Sequence, residues 1–256
     1  MDSVGREAGL RLVESGRGRF AEARGLEPFT KNDEADRLLN DLDGHPHAFV
    51  LACIMDRQIP AERAWLIPFE IQQRLGSFAF ETLRPLSAAE TLRLFTQPKP
   101  LHRFNETMAE LFRSAIQRMQ VSYEGDARRI WTNRPSSATV VLRFLEFDGV
   151  GQKIATMAAN LLARIFKVEM SDYYSIDVSV DVQVRRVLER LRVVRVGASP
   201  EEVIYAARSL NPEYPGILDA PAWELGRSIC HPRDPDCPGC YMKSYCPSAQ
   251  GKDVRG

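Results

Sequence analysis

Apolar residues along the chain recur mainly at three- and four-residue spacing, the period of amphipathic helices, with few stretches of strict alternation. Leu10, Leu12, Val13 and Phe20, set among many Arg, Glu and Gly residues, predict one or two short helices within residues 1–25. Another short helix is predicted over 33–40. Pro46 suits the first turn of a helix running through Phe49, Val50, Cys53 and Ile54. That helix should end at Asp56-Arg57-Gln58, because Ile59 precedes Pro60 and is biased to an extended or turn conformation. The next helix starts after Pro60 and carries Trp65, with Pro68 expected near its start or at a kink. Ser87 and Glu90 have capping-box spacing ahead of Leu92, Leu94 and Phe95. Pro98 and Pro100 then break the chain before an amphipathic run through Met108, Leu111, Phe112, Ala115 and Met119.

The most informative pattern is LRFLEFDGVGQKIATMAANLLA, residues 142–163. Leu142, Leu145 and Phe147 lead into Gly149-Val150-Gly151, and an Ala-rich apolar run follows at helical spacing: helix, glycine turn, helix. The two glycines permit positive φ and close approach by a ligand. Their amides, with those opening the second helix, suit an oxyanion such as a backbone phosphate. Lys153 falls in the first turn of that helix, where the dipole disfavours a cation. A solvated lysine on an ordinary hairpin is the plain alternative. Beyond the hairpin, 171–176 reads as irregular and 180–191 as helical. Val193 to Val196 has strand character without a second strand to pair with. Ser199-Pro200 starts another helix, and a last one runs from Ala222 to Cys230. The expectation is an all-α protein with a helical unit at 45–165 and a second unit made of 1–44 and 166–256.

Length and charge narrow the function classes. The 256 residues suffice for one large domain or two small ones. Lys plus Arg and Asp plus Glu each number 34, so no overall field draws the chain to nucleic acid or an acidic membrane. Any nucleic-acid contact must rest on local patches. The N-terminal residues lack the apolar core of a signal peptide, and no uncharged apolar run reaches spanning length, so a cytoplasmic location without membrane contact is expected.

Cys230, Cys237, Cys240 and Cys246 form C-x6-C-x2-C-x5-C in a Pro- and Asp-rich tail with no apolar core of its own. In a reducing compartment such a cluster reads as metal ligands, with binding supplying the ordering energy. Four thiolates suit zinc, which commonly uses two CxxC knuckles. One CxxC with a single outlying cysteine on each side better fits wrapping a [4Fe–4S] cubane. Cys53, alone on an apolar helix, reads as core. Downstream of the hairpin, Asp181 stands where a helix begins, with Val184, Val187, Leu188 and Leu191 forming an apolar face behind it. Helix capping alone would account for it.

Gly149-Val150-Gly151-Gln152-Lys153-Ile154-Ala155, then Val180-Asp181 with Arg186, Val187 and Arg190, then the four cysteines, together resemble the helix-hairpin-helix DNA glycosylases, in their iron–sulfur, endonuclease III-like branch. The resemblance runs from about residue 45 to 247 and is strongest after 140. It implies an endonuclease III-like fold of two parts, a six-helix barrel domain with the hairpin at 45–165 and an iron–sulfur cluster domain from 1–44 and 166–256. The implied function is base-excision DNA repair: a glycosylase with AP lyase activity on an oxidised base, acting as a monomer on damaged or abasic duplex. Lys153 would be the nucleophile and Asp181 its helper. Gly149, Val150, Gly151 and Gln152 would hold a backbone phosphate. Gln58 would fill the gap left by the extruded base, and Leu101, His102 and Arg103 would wedge the opposite strand. A non-catalytic module for single-stranded or unusual DNA, and a monofunctional glycosylase, are the competing readings.

The chain departs from the family at Asp148, where proline is usual, at Ile154 for Thr and at Gln183 for His. Twenty-seven residues separate Lys153 from Asp181, with SDYYSIDVS (171–179) as the extra material. That insert could bring Tyr173 or Tyr174 to the site, or draw Asp181 away from Lys153, and Asp177 is a rival carboxylate.

Overall fold

The structure is a computed structural model, and it describes residues 1–22 and 25–251. The end of the expected second unit, 252–256, lies outside the described residues. The described residues are helical, with no strand among them, and no helix is long and apolar enough to cross a membrane. The fold centres on one helix. In α3 (Pro46–Met55) every residue is buried, the pattern of a helix enclosed on all sides, and Pro46 sits in its first turn as expected. Phe49 of α3 lies among Trp65, Trp131, Phe144 and Phe166, with ring centroids 5.2–6.5 Å away.

Around α3 pack α2 (Asp33–Asn40), α4 (Ala61–Leu75), α7 (Asn105–Ser122) and α9 (Gln152–Arg164). The short α5 (Phe80–Leu83), α6 (Ala88–Thr96) and α8 (Ser137–Leu145) complete this part. The boundaries follow local chemistry. Asn32 caps α2, Ser87 and Glu90 close a capping box on α6, and Ser136 caps α8. Pro68 lies well inside α4, which starts directly after Pro60. The packing of α2 on α3 and α4 crosses the boundary expected near residue 45.

The N-terminal segment forms one 19-residue helix, α1 (Ser3–Ala21), where one or two short ones were expected. Its buried stripe of Gly5, Ala8, Gly9, Leu12, Val13 and Gly16 packs on α11 (Pro200–Leu210), a 3₁₀ turn at Pro215–Leu218 and α12 (Asp219–Ser228). A Cβ at Gly5 or Gly16 would stand 2.0 Å from the carbonyl oxygen of Arg192 or Ile217. Tertiary contact therefore makes a long helix from a segment of modest propensity. α10 (Val182–Arg190) packs along α12, and the cysteine tail follows with 3₁₀ turns at Lys243–Tyr245 and Pro247–Gln250. Residues 193–196 form turns, not a strand.

Candidate active site

The hairpin joins α8 to α9. Gly149 has φ +78°, and a Cβ there would also come within 2.9 Å of Arg57 Nη1 and 2.7 Å of a Leu111 methyl. Gly151 differs from the expectation that both glycines take the left-handed form. It is extended at φ −101° and ψ 179°, and its requirement is space: nothing lies within 4 Å of a Cβ added there. As the N-cap of α9 it offers no side-chain acceptor, so the helix opens with exposed backbone around Gly151 and Gln152. Val150 is the buried member of the turn at 9% exposure. The Asp148 carboxylate accepts a hydrogen bond from Ser114 Oγ of α7.

Lys153 is the second residue of α9, and its side chain is 45% exposed. Its Nζ stands 4.0 Å from Oδ2 of Asp56, the C-cap of α3, whose side chain is only 12% exposed. Burial pushes the Asp56 pKa up; Lys153 opposes that shift and the charge of Asp181 adds to it. Asp181 is the N-cap of α10, its Oδ1 accepting from the amides of Gln183 and Val184 at 2.8 Å each.

Lys153, Asp56 and Asp181 line two cavities in common. One, of about 210 Å³, has walls from Phe29, Trp65, Met157 and Trp223, with Phe29 and Trp65 stacked at 4.6 Å. The other, of about 620 Å³, is lined also by Gln58, which is exposed with φ +54°. The long 154–180 segment thus leaves Lys153 and Asp181 at one site. Its tyrosines stay out of both cavities: Tyr173 stacks on Tyr214 at 5.0 Å and meets Phe20 edge-on, while Tyr174 is 61% exposed. Asp177 is buried in a bidentate pair with Arg208 at 2.8 and 2.9 Å, which removes it as a rival to Asp181.

The aromatic-walled cavity holds further carboxyls that no motif announced. Burial pushes Asp219, at the start of α12, up to about 6, and the charge of Asp181 adds to the shift. Burial likewise raises Glu27, with Arg164 opposing.

The loop expected to wedge DNA is only partly at the surface. Leu101 and His102 are 2% and 1% exposed, whereas Arg103 and its neighbour Phe104 are exposed. His102 Nδ1 accepts from the Phe104 amide at 3.0 Å, and burial lowers the imidazole pKa, so His102 anchors the loop as a neutral ring. Arg103 lies 5.2 Å from the Phe104 ring centroid.

Away from the lysine, Cys230, Cys237, Cys240 and Cys246 line one cavity of about 130 Å³, walled by Val187, Leu191, Leu225 and Met242. Arg190 Nη1 lies 3.1 Å from Cys230 Sγ and donates to the His231 carbonyl at 2.7 Å, and its Nη2 donates to Pro232 at 3.1 Å. Arg186 donates to the carbonyls of Cys230 and Gly226 at 2.8 and 2.7 Å. The arginines that accompany Asp181 in sequence therefore hold the cysteine loop. Among the described residues no three potential ligands converge as around a single ion. Cys53 is fully buried on α3, its thiol pKa raised by burial, as a core residue.

No family model matches the chain. In sequence it is 34% identical over 104 residues to endonuclease III of Thermotoga maritima, covering 40% of this chain and 43% of that protein. It is 35% identical over 78 residues to human adenine DNA glycosylase, covering 28% of this chain and 14% of that protein. The chain therefore spans less than half the length of these relatives. In structure it resembles a thermostable thymine-DNA glycosylase, with TM-score 0.60, 16% identity, and coverage of 96% of this chain and 97% of that one. It also resembles endonuclease III in a trapped covalent complex with DNA, with TM-score 0.58, 17% identity, and coverage of 85% and 94%. At such identities the structural likeness speaks for the fold.

Proposed function

Starting from a chain with the endonuclease III-like fold of the helix-hairpin-helix DNA glycosylase superfamily, we propose that it repairs DNA by base excision, removing a damaged, oxidised base through a lysine Schiff base and cleaving the strand by β-elimination. The observation that carries the reading is the shared site: an amine, Lys153, and a carboxylate, Asp181, line one aromatic-walled cavity beside the hairpin, where Gly151 and Gln152 are exposed. The target base leaves the stack for that cavity, where Phe29, Trp65 and Trp223 offer flat apolar walls. Breaking the N-glycosidic bond builds positive charge on the sugar, which Asp181 stabilises. The Lys153 amine attacks C1′, and the resulting iminium acidifies the neighbouring C2′ proton so that the 3′ phosphate is eliminated. Gly149 to Gln152 hold a backbone phosphate, a contact that positions without reading sequence. Gln58 and Arg103 contact the DNA beside the gap, with Leu101 and His102 supporting the latter from the core.

The tail is read as an iron–sulfur site. Four thiols lining one cavity of about 130 Å³ support a metal centre, and one CxxC with a single outlying cysteine on each side favours a polynuclear cluster over one zinc ion, with Cys230, Cys237, Cys240 and Cys246 as its ligands. A [4Fe–4S] cluster held there would supply cross-links that help to order the tail.

Sodium borohydride with an abasic-site duplex tests the lysine. The wild-type protein should leave a covalent adduct, and Lys153→Gln should abolish it while retaining DNA binding. Binding without an adduct in the wild type would favour a non-catalytic DNA-binding module. An adduct persisting in Lys153→Gln would move the role to another amine.

A further inference from the structure

Asp56 has no role in the reading above, and no motif singles it out. It ends α3 with its side chain mostly buried, and its Oδ2 faces Lys153 Nζ at 4.0 Å. Each member of this pair sits at the helix end that opposes its charge. The negative pole at the C-terminus of α3 disfavours a carboxylate, and the positive pole at the N-terminus of α9 disfavours an ammonium. Burial and the nearby charge of Asp181 also raise the proton affinity of Asp56. Only the attraction within the pair acts the other way.

We propose that Asp56 is the proton acceptor of Lys153, taking one proton from the ammonium so that the nitrogen lone pair is free to attack. This rests on Lys153 being the nucleophile. At an abasic aldehyde the balance is complete. One ammonium proton passes to Asp56, and the freed lone pair forms the Nζ–C1′ bond. A second proton moves from nitrogen to the C1′ oxygen as the carbinolamine forms. Asp56 returns the first proton to that oxygen, which leaves as water, and the third proton stays on the iminium nitrogen.

Lys153 and Asp181 act on Asp56 directly. Glu62, Arg185 and Arg227 also line the larger cavity, Glu27, Arg164, Asp219, Glu224 and Arg227 the smaller, and the buried Cys53 thiol on the same helix feels the Asp56 charge. The resting ion pair and the productive neutral pair hold the same number of protons. The productive fraction is therefore independent of pH for as long as the pair keeps one proton.

Single-turnover borohydride trapping on an abasic duplex, measured from pH 5.5 to 8.5 with binding checked at each pH, tests this. The wild-type rate constant should show a plateau. Asp56→Asn should replace it with a rise of about tenfold per pH unit, and should be slower by about a hundredfold at pH 6. Asp56→Glu should recover the plateau. A flat Asp56→Asn profile, even at reduced rate, would mean that Asp56 only shapes the site and would overturn the proposal. So would a unit slope in the wild type, which decides the matter even if Asp56→Asn does not fold. Wild-type protein that binds but forms no adduct would instead remove the lysine reading, and this inference with it.

Discussion

The two ends of α10 serve two sites, and they treat charge in opposite ways. At the C-terminal end, the guanidiniums of Arg186 and Arg190 are committed to carbonyls of Gly226, Cys230, His231 and Pro232. At the N-terminal end, Asp181 shares a cavity with Asp56, Asp219, Glu27 and Lys153, where three carboxyls have raised pKa values and the amine lies 4.0 Å from Asp56. Satisfied polar groups fix a loop in one geometry; crowded and desolvated ones leave reactivity available at a cost in stability. The same helix thus carries a fastening at one end and the candidate site at the other.

The contrast can be broken most sharply at Asp181. Asp181→Asn keeps a capping oxygen but loses the charge facing the developing cation, so single-turnover base release should slow by about 10²–10³ with little change in the melting transition. At the other end the expectation reverses. Arg190→Ala should leave the chemistry on saturating DNA within a few-fold yet destabilise the tail by roughly 2–3 kcal/mol, read as faster limited proteolysis after residue 228. A loss of catalysis matching that of Asp181→Asn would dissolve the distinction.

Asp219 sharpens it through pH. Its folded pKa of about 6 lies above the ordinary 3.8, so the native state holds this proton more tightly than the unfolded chain. The associated stability is complete below 3.8, is lost as pH rises towards 6, and stays lost above. Asp219→Asn should therefore be more stable than wild type by about 2 kcal/mol at pH 7.5 and no more stable at pH 3.5, measured by urea midpoints. The smallest effect is expected at the hairpin. Gly151→Ala should fold normally, since a methyl there meets nothing, but should weaken binding to all duplexes alike by about three- to tenfold. A loss confined to one lesion would refute the phosphate contact.

Local chemistry was legible in the chain. The caps at Ser87, Asp181 and Ser199, the apolar α3 and the hairpin all stand where residue type and spacing put them. What escaped depends on partners distant in sequence. α1 looked like one or two short helices because its stabilising contacts lie beyond residue 190. Leu101 and His102 were placed at the DNA by the resemblance alone, and a short loop does not disclose which of its residues turn inward. Asp56 and Asp219 carry no motif, and only the meeting of α3, α9, α10 and α12 makes either unusual.

The dependence of α1 on distant elements bears on how the chain is made. Translation at about 5–20 residues per second separates α1 from the turn at Pro215–Leu218 by roughly ten to forty seconds. Throughout that interval the glycine stripe and Leu12 emerge from the ribosome without their docking surface, while α2 to α9 can already close around Phe49. The earliest of these helices to be synthesised is then among the last to settle, and a nascent chain stalled before residue 200 would display its buried stripe for chaperones to hold.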